Sequence, residues 1–112
     1  MLLFVSYLEI SERLSRIEFK SDIWSKKIEM QKPPYLRIKM VDSLLSKYKF
    51  DNWSKEKVIK FLGNPEETDY FENYDLVYWL GAERGFISID SEWLVFKLNS
   101  NLLVYEYHIV SD

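Results

Sequence analysis

The spacing of apolar positions changes once along this 112-residue chain, near residue 70, from a period of about 3.6 to a period of 2. Upstream, Met40, Val41, Leu44, Leu45 and Tyr48 recur at i, i+3/i+4 intervals with Arg37, Lys39, Asp42 and Lys47 on other faces. That spacing predicts one amphipathic helix over about 35–47, with Pro34 in its first turn. Ser54 then stands as an N-cap, with Trp53 and Val58 placed as a hydrophobic staple ahead of Ile59, Phe61 and Leu62, and Gly63 with Pro65 ends this second helix. Leu14, Ile17, Trp24 and Ile28 also recur at helix-compatible intervals, so residues 1–32 read as a partly helical N-terminal extension. Lys32, Pro33 and Pro34 mark its joint to a domain over residues 33–112.

Downstream, residues 74–80, 93–98 and 102–110 are rich in β-formers and predict three strands, the last two joined by a tight turn at Asn99, Ser100 and Asn101. Turn residues at 81–85 and 90–92 flank a possible fourth, short strand at 86–89. Helices followed by an antiparallel meander define an α+β fold, two helices packed on one face of a three-stranded antiparallel sheet (ααβββ). Alternation assigns Leu76, Tyr78, Leu80, Leu94, Phe96, Leu98, Leu103, Tyr105, Tyr107 and Ile109 to the helix-facing side. The far side then carries Val77, Trp79, Trp93, Val95, Lys97, Val104, Glu106 and His108, a mixture of aliphatic, aromatic and polar groups unusual for a solvated sheet. Either residues 1–32 cover this face, or a partner or second copy does.

Composition sharpens the picture. Nineteen aromatic residues, 4 Trp, 8 Tyr and 7 Phe, are more than one small core holds, and aromatics are enriched at interfaces. The net charge of −3 hides a split: residues 1–60 carry 13 Lys/Arg against 8 Asp/Glu, or +5, and residues 61–112 carry 2 against 10, or −8. An acidic sheet region argues against nucleic acid, whose phosphates require a basic face, and suits a basic protein partner. The absence of cysteine excludes disulfides, a thiolate metal site, a cysteine nucleophile and a lipidated cysteine in this sequence. The first eight residues are apolar but have no basic flank and no small-residue cleavage pattern, and they are too few to span a bilayer. Two readings of them stay open: a segment packed on the domain, or the remnant of a longer targeting segment, which leaves the compartment as cytoplasm or cell envelope.

Residues 37–45, the helix at 53–65 ending in Leu62, Gly63 and Pro65, the stretch Tyr78, Trp79, Leu80 and Gly81, and the hairpin 93–110 together resemble the SmpA/OmlA (BamE-like) family of small lipoproteins and their Gram-positive relatives. The resemblance covers about two thirds of the chain. It implies an ααβββ domain without enzymatic activity that scaffolds an assembly, or inhibits another protein, through the far face of its sheet. The family's outer-membrane members carry a lipid on a cysteine, so the non-lipidated relatives are the model this chain fits.

Little in the chain suggests catalysis. His108 is the only histidine, which leaves no histidine-rich metal site and no evident serine triad. Glu66, Glu67, Asp69, Glu72 and Asp75 form an acidic loop without the alternation or central glycine of a calcium-binding loop, and Asp90 with Glu92 shows no sign of converging in a pocket. No catalytic residue, metal or cofactor is expected. The candidate partner-binding residues are Trp79 and Trp93 as anchors, Val77 and Val95 between them, and Glu83, Arg84, Glu106 and His108 around them. Self-association through this face is a variant of that reading. An alternative is an immunity protein or inhibitor whose acidic C-terminal part caps a basic toxin or nuclease.

Overall fold

The computed structural model describes residues 16–69, 71–82 and 90–112. The first eight residues, Leu14, the strand expected at 86–89, and Glu83 and Arg84 therefore lie outside the described residues. In chain order the elements are α1 (Ser21–Trp24), α2 (Lys27–Met30), α3 (Leu36–Lys47), α4 (Lys55–Leu62), β1 (Leu76–Ala82), β2 (Ser91–Leu98) and β3 (Val104–Ser111). The strands form an antiparallel sheet in the order β1-β2-β3, so the α+β class and the three-stranded meander stand as expected. Among the described residues no helix is long and apolar enough to cross a membrane.

Local chemistry accounts for most boundaries. Ser54 Oγ accepts a hydrogen bond from Lys57 N at 3.1 Å and caps α4, and Gly63 at φ 85 closes it. The Tyr78 hydroxyl donates to Gly63 O at 2.8 Å and ties the end of α4 to the middle of β1. One boundary differs from expectation: α3 starts at Leu36, with Pro34 outside it, because Tyr35 stands in the left-handed region at φ 54. Its ring packs edge-on against Trp79 at 5.5 Å, and a Cβ at position 81 would lie 2.7 Å from the Tyr35 Cβ. Gly81, at φ 142, is the residue this approach permits.

The core lies between the helices and the sheet. Met40, Val41 and Leu44 from α3, Val58 and Leu62 from α4, Phe50 between them, and Leu76, Tyr78, Leu80, Leu94 and Phe96 from the sheet are all buried. Phe50 touches Phe96 and Tyr107 edge-on, each with ring centres 5.4 Å apart. The N-terminal extension adds Phe19, Trp24 and Met30 to this core, with Ile17 N donating to Lys39 O and Phe19 N to Ser43 Oγ along α3.

Strict alternation fails at two places on the sheet. The β1–β2 register shifts between Trp79 and Gly81, which leaves Leu80 as an extra residue, and a second shift lies between β2 and β3. The β2–β3 register shifts between Lys97 and Leu98: Lys97 faces Glu106 while Leu98 faces Val104, which leaves Tyr105 as an extra residue. The bulge inverts the expected facing there. Val104 is buried in the core instead of lying on the far face, and Tyr105 is 56% exposed instead of facing the helices.

Burial pushes the Tyr78 phenol above its ordinary range, with Glu66 acting in the same direction and Arg37 opposing. A folded-state pKa raised above the unfolded value contributes stability below about pH 10 that is lost as pH rises beyond it, by up to about 1.4 kcal/mol per pH unit. Urea unfolding across alkaline pH should show wild type losing stability more steeply than Tyr78→Phe above about pH 10; parallel slopes would remove Tyr78 as the cause.

Candidate binding face of the sheet

Pairing of β1 with β2 sets Val77 opposite Val95 and Trp79 opposite Trp93, and pairing of β2 with β3 adds His108 beside Val95 and Glu106 beside Lys97. The structure thus gathers Val77, Trp79, Trp93, Val95, Glu106 and His108 on the face turned away from the helices. Trp79 and Trp93 are half-buried and, with Gln31 and Glu66, line a shallow cleft of about 350 Å³. Trp93 is oriented by Asp112, whose Oδ2 accepts from Nε1 at 3.1 Å while Oδ1 accepts from Ser91 N at 2.7 Å.

The described part of the N-terminal extension packs on the helical layer, and only Gln31 of it lines this cleft. Among the described residues, the acidic loop lies over the face. Phe71 lies edge-on to Trp93 with ring centres 5.1 Å apart, and Tyr74 lies edge-on to His108 at 5.7 Å. The Tyr74 hydroxyl and His108 Nε2 are 3.2 Å apart, and Lys97 Nζ sits 5.4 Å from the Tyr74 ring centre. The described residues 67–69 and 71–74 therefore form a strap across the sheet, with Glu67, Asp69 and Glu72 exposed along it. Val77 at 5% and Val95 at 0% exposure are withdrawn from solvent, which corrects their expected role as partner contacts. Accessible positions remain at the Trp79–Trp93 cleft and at Glu106 and His108, each with 42% of its side chain exposed.

An acidic side chain pins each end of the strap. Asp75 Oδ2 accepts from Leu98 N at 2.7 Å, and Asp75 N donates to Phe96 O at 2.9 Å. At the other end, Glu66 N donates to Val77 O, and Glu66 Oε2 accepts from Trp79 N at 2.9 Å. Glu66 Oε1 pairs with Arg37 at 3.2 Å. The helical spacing had placed Arg37 among the polar faces of α3, yet it is 1% exposed. Its Nε donates to Trp24 O at 2.9 Å, Nη1 donates to Trp79 O at 3.2 Å, and the guanidinium lies 5.2 Å from the Trp24 ring centre. Burial draws Arg37 below the ordinary guanidinium range while Glu66 pushes back.

Sequence reasoning missed the residues that build the site, namely Arg37, Glu66, Phe71, Tyr74 and Asp112. The available signal was the aromatic pair Phe71 and Tyr74 in an otherwise acidic loop. Among the described residues no group of three or more His, Asp or Glu is placed to hold a metal ion. Comparisons with protein-family models, with curated proteins and with solved structures find no match to this chain.

Removing one partner of a buried ion pair strands the other charge and costs about 3–5 kcal/mol. Glu66→Gln and Arg37→Met should each lower the unfolding free energy in urea by about that much. Their combination should cost clearly less than the sum, since no charge is then left unpaired; strict additivity would mean the two side chains act independently.

Proposed function

We propose that this chain is a non-enzymatic protein-binding module that recognises a partner through the far face of its sheet, in the manner the BamE-like resemblance implies. The observation that carries the reading is the cross-strand pair Trp79–Trp93, two half-buried indoles side by side at the rim of a cleft on a face turned away from the helices. Large aromatic side chains that become desolvated at the centre of a contact are the usual energetic centres of protein interfaces. The polar groups beside them are suited to fixing orientation: Gln31 in the cleft, and Glu106 and His108 on β3.

The strap supports an inhibitory version of the same reading. Its exposed carboxylates at Glu67, Asp69 and Glu72, joined by Asp75 at its end, stand beside the tryptophan cleft, a distribution that attracts a basic surface and speeds its approach. A basic toxin or nuclease capped by this face is the second proposal.

Affinity capture with wild type beside Trp79→Ala/Trp93→Ala, both checked for fold by circular dichroism, should return a protein retained by wild type alone. Loss of an anchor costs about 2 kcal/mol or more, about a thirtyfold loss of affinity. Identical capture by the two would sink the proposal. For a captured basic partner, Glu67→Lys/Asp69→Lys/Glu72→Lys should slow association at low salt and lose that effect at high salt; an unchanged association rate would rule out the capping version.

A further inference from the structure

The two edges of the sheet are treated differently. Bonding directions follow from Asp112 N donating to Ser91 O: along β3, Glu106, His108 and Val110 turn their main-chain groups toward β2, and Tyr107 and Ile109 turn theirs outward. By the same alternation, Val77 and Trp79 turn outward on β1. There three of the four outward groups have partners: Val77 O accepts from Glu66 N, Trp79 N donates to the Glu66 carboxylate, and Trp79 O accepts from Arg37. On β3, among the described residues, the outer edge is met only at its start, where Asn52 N donates to Val104 O and Val104 N to Trp53 O. Beyond the bulge, among the described residues, no hydrogen bond reaches the outward groups of Tyr107 and Ile109.

An unpaired edge is a template for another strand, and proteins usually blunt it with lysine, proline or a covering segment. From Glu106 to Ser111, β3 has neither lysine nor proline. We propose that this edge pairs antiparallel with β3 of a second copy of the chain, joining two sheets into one of six strands.

The register follows from polar complementarity. A twofold axis through the sheet keeps side-chain faces continuous only when opposed residue numbers sum to an even value, because facing alternates along each strand. Centring the axis at Glu106 sets Glu106 against itself, and centring it at His108 sets His108 against itself. Centring it at Ile109 sets Glu106 opposite Asp112. Centring it at Tyr107 sets Glu106 opposite His108 in both directions, as close, non-hydrogen-bonded pairs, while the two Tyr107 residues exchange both main-chain bonds. It also brings exposed Tyr105 beside Ile109, and the pairing ends where Asn52 and Trp53 already occupy Val104.

Sedimentation of the full chain from micromolar to millimolar concentration should reveal a reversible dimer. Over the same range, amide exchange at Tyr107 and Ile109 should slow with concentration, while exchange at Glu106, His108 and Val110, already bonded to β2, stays unchanged. Glu106→Lys and His108→Glu should each weaken association about tenfold or more, and combining them should restore it to within about threefold. A chain that sediments as a monomer throughout, or exchange at Tyr107 and Ile109 independent of concentration, overturns the proposal. Failure of the double variant to recover overturns the register. The exchange test uses wild type, so it decides the matter even where a variant fails to fold.

Discussion

The buried guanidinium of Arg37 is the constraint on which the arrangement rests. A charge withdrawn from water must be met on every side. Here it is met by the carbonyl of Trp24 from the N-terminal extension, the carbonyl of Trp79 on β1 and the carboxylate of Glu66 at the start of the strap. Each comes from a different segment, so none of the three can move without uncovering the charge. Such a pair adds little net stability against an apolar replacement, but it penalises every arrangement in which the segments are displaced. Glu66 extends the constraint, because its other oxygen holds the Trp79 amide and so fixes the edge of β1 that carries one wall of the cleft.

The same anchoring explains how the sheet is covered on both faces. On the helix side the cover is a dense aromatic and aliphatic core in which Phe50, Tyr78, Phe96 and Tyr107 touch one another. On the far side it includes a strap, fixed at Glu66 and Asp75, whose described residues lay Phe71 and Tyr74 against Trp93 and His108. Val77 and Val95 are buried on this side, while Trp79 and Trp93 stay half-buried at the cleft they line.

Much of the fold was legible because local chemistry and pattern agreed: the period change near residue 70, the Ser54 cap and the Gly63 stop all correspond to observed boundaries. That Trp79 and Trp93 share the far face followed from alternation, whereas their direct pairing is set by the strand register. What was not legible depends on tertiary contact. Alternation cannot register a bulge, so Val104 and Tyr105 were assigned to the wrong faces. Helical periodicity marks Arg37 as a charge and therefore as solvent-facing, and nothing local announces that Glu66, 29 residues later, will return to meet it. The acidic composition of residues 66–75 likewise suggested a solvated loop, although Phe71 and Tyr74 turn it into a cover.

Edge protection ties these observations together. A three-stranded sheet has two edges and little area, so whatever protects one edge comes from the few segments long enough to reach it. The strap must start beside β1 to cross the far face, and starting there spends Glu66 and its Arg37 partner on the β1 edge. The turn before α4 reaches the other edge only at Val104, and the bulge that follows shifts the bonding phase, so Tyr107 and Ile109 lie beyond its reach. The asymmetry between the edges is thus a consequence of where the buried charge sits.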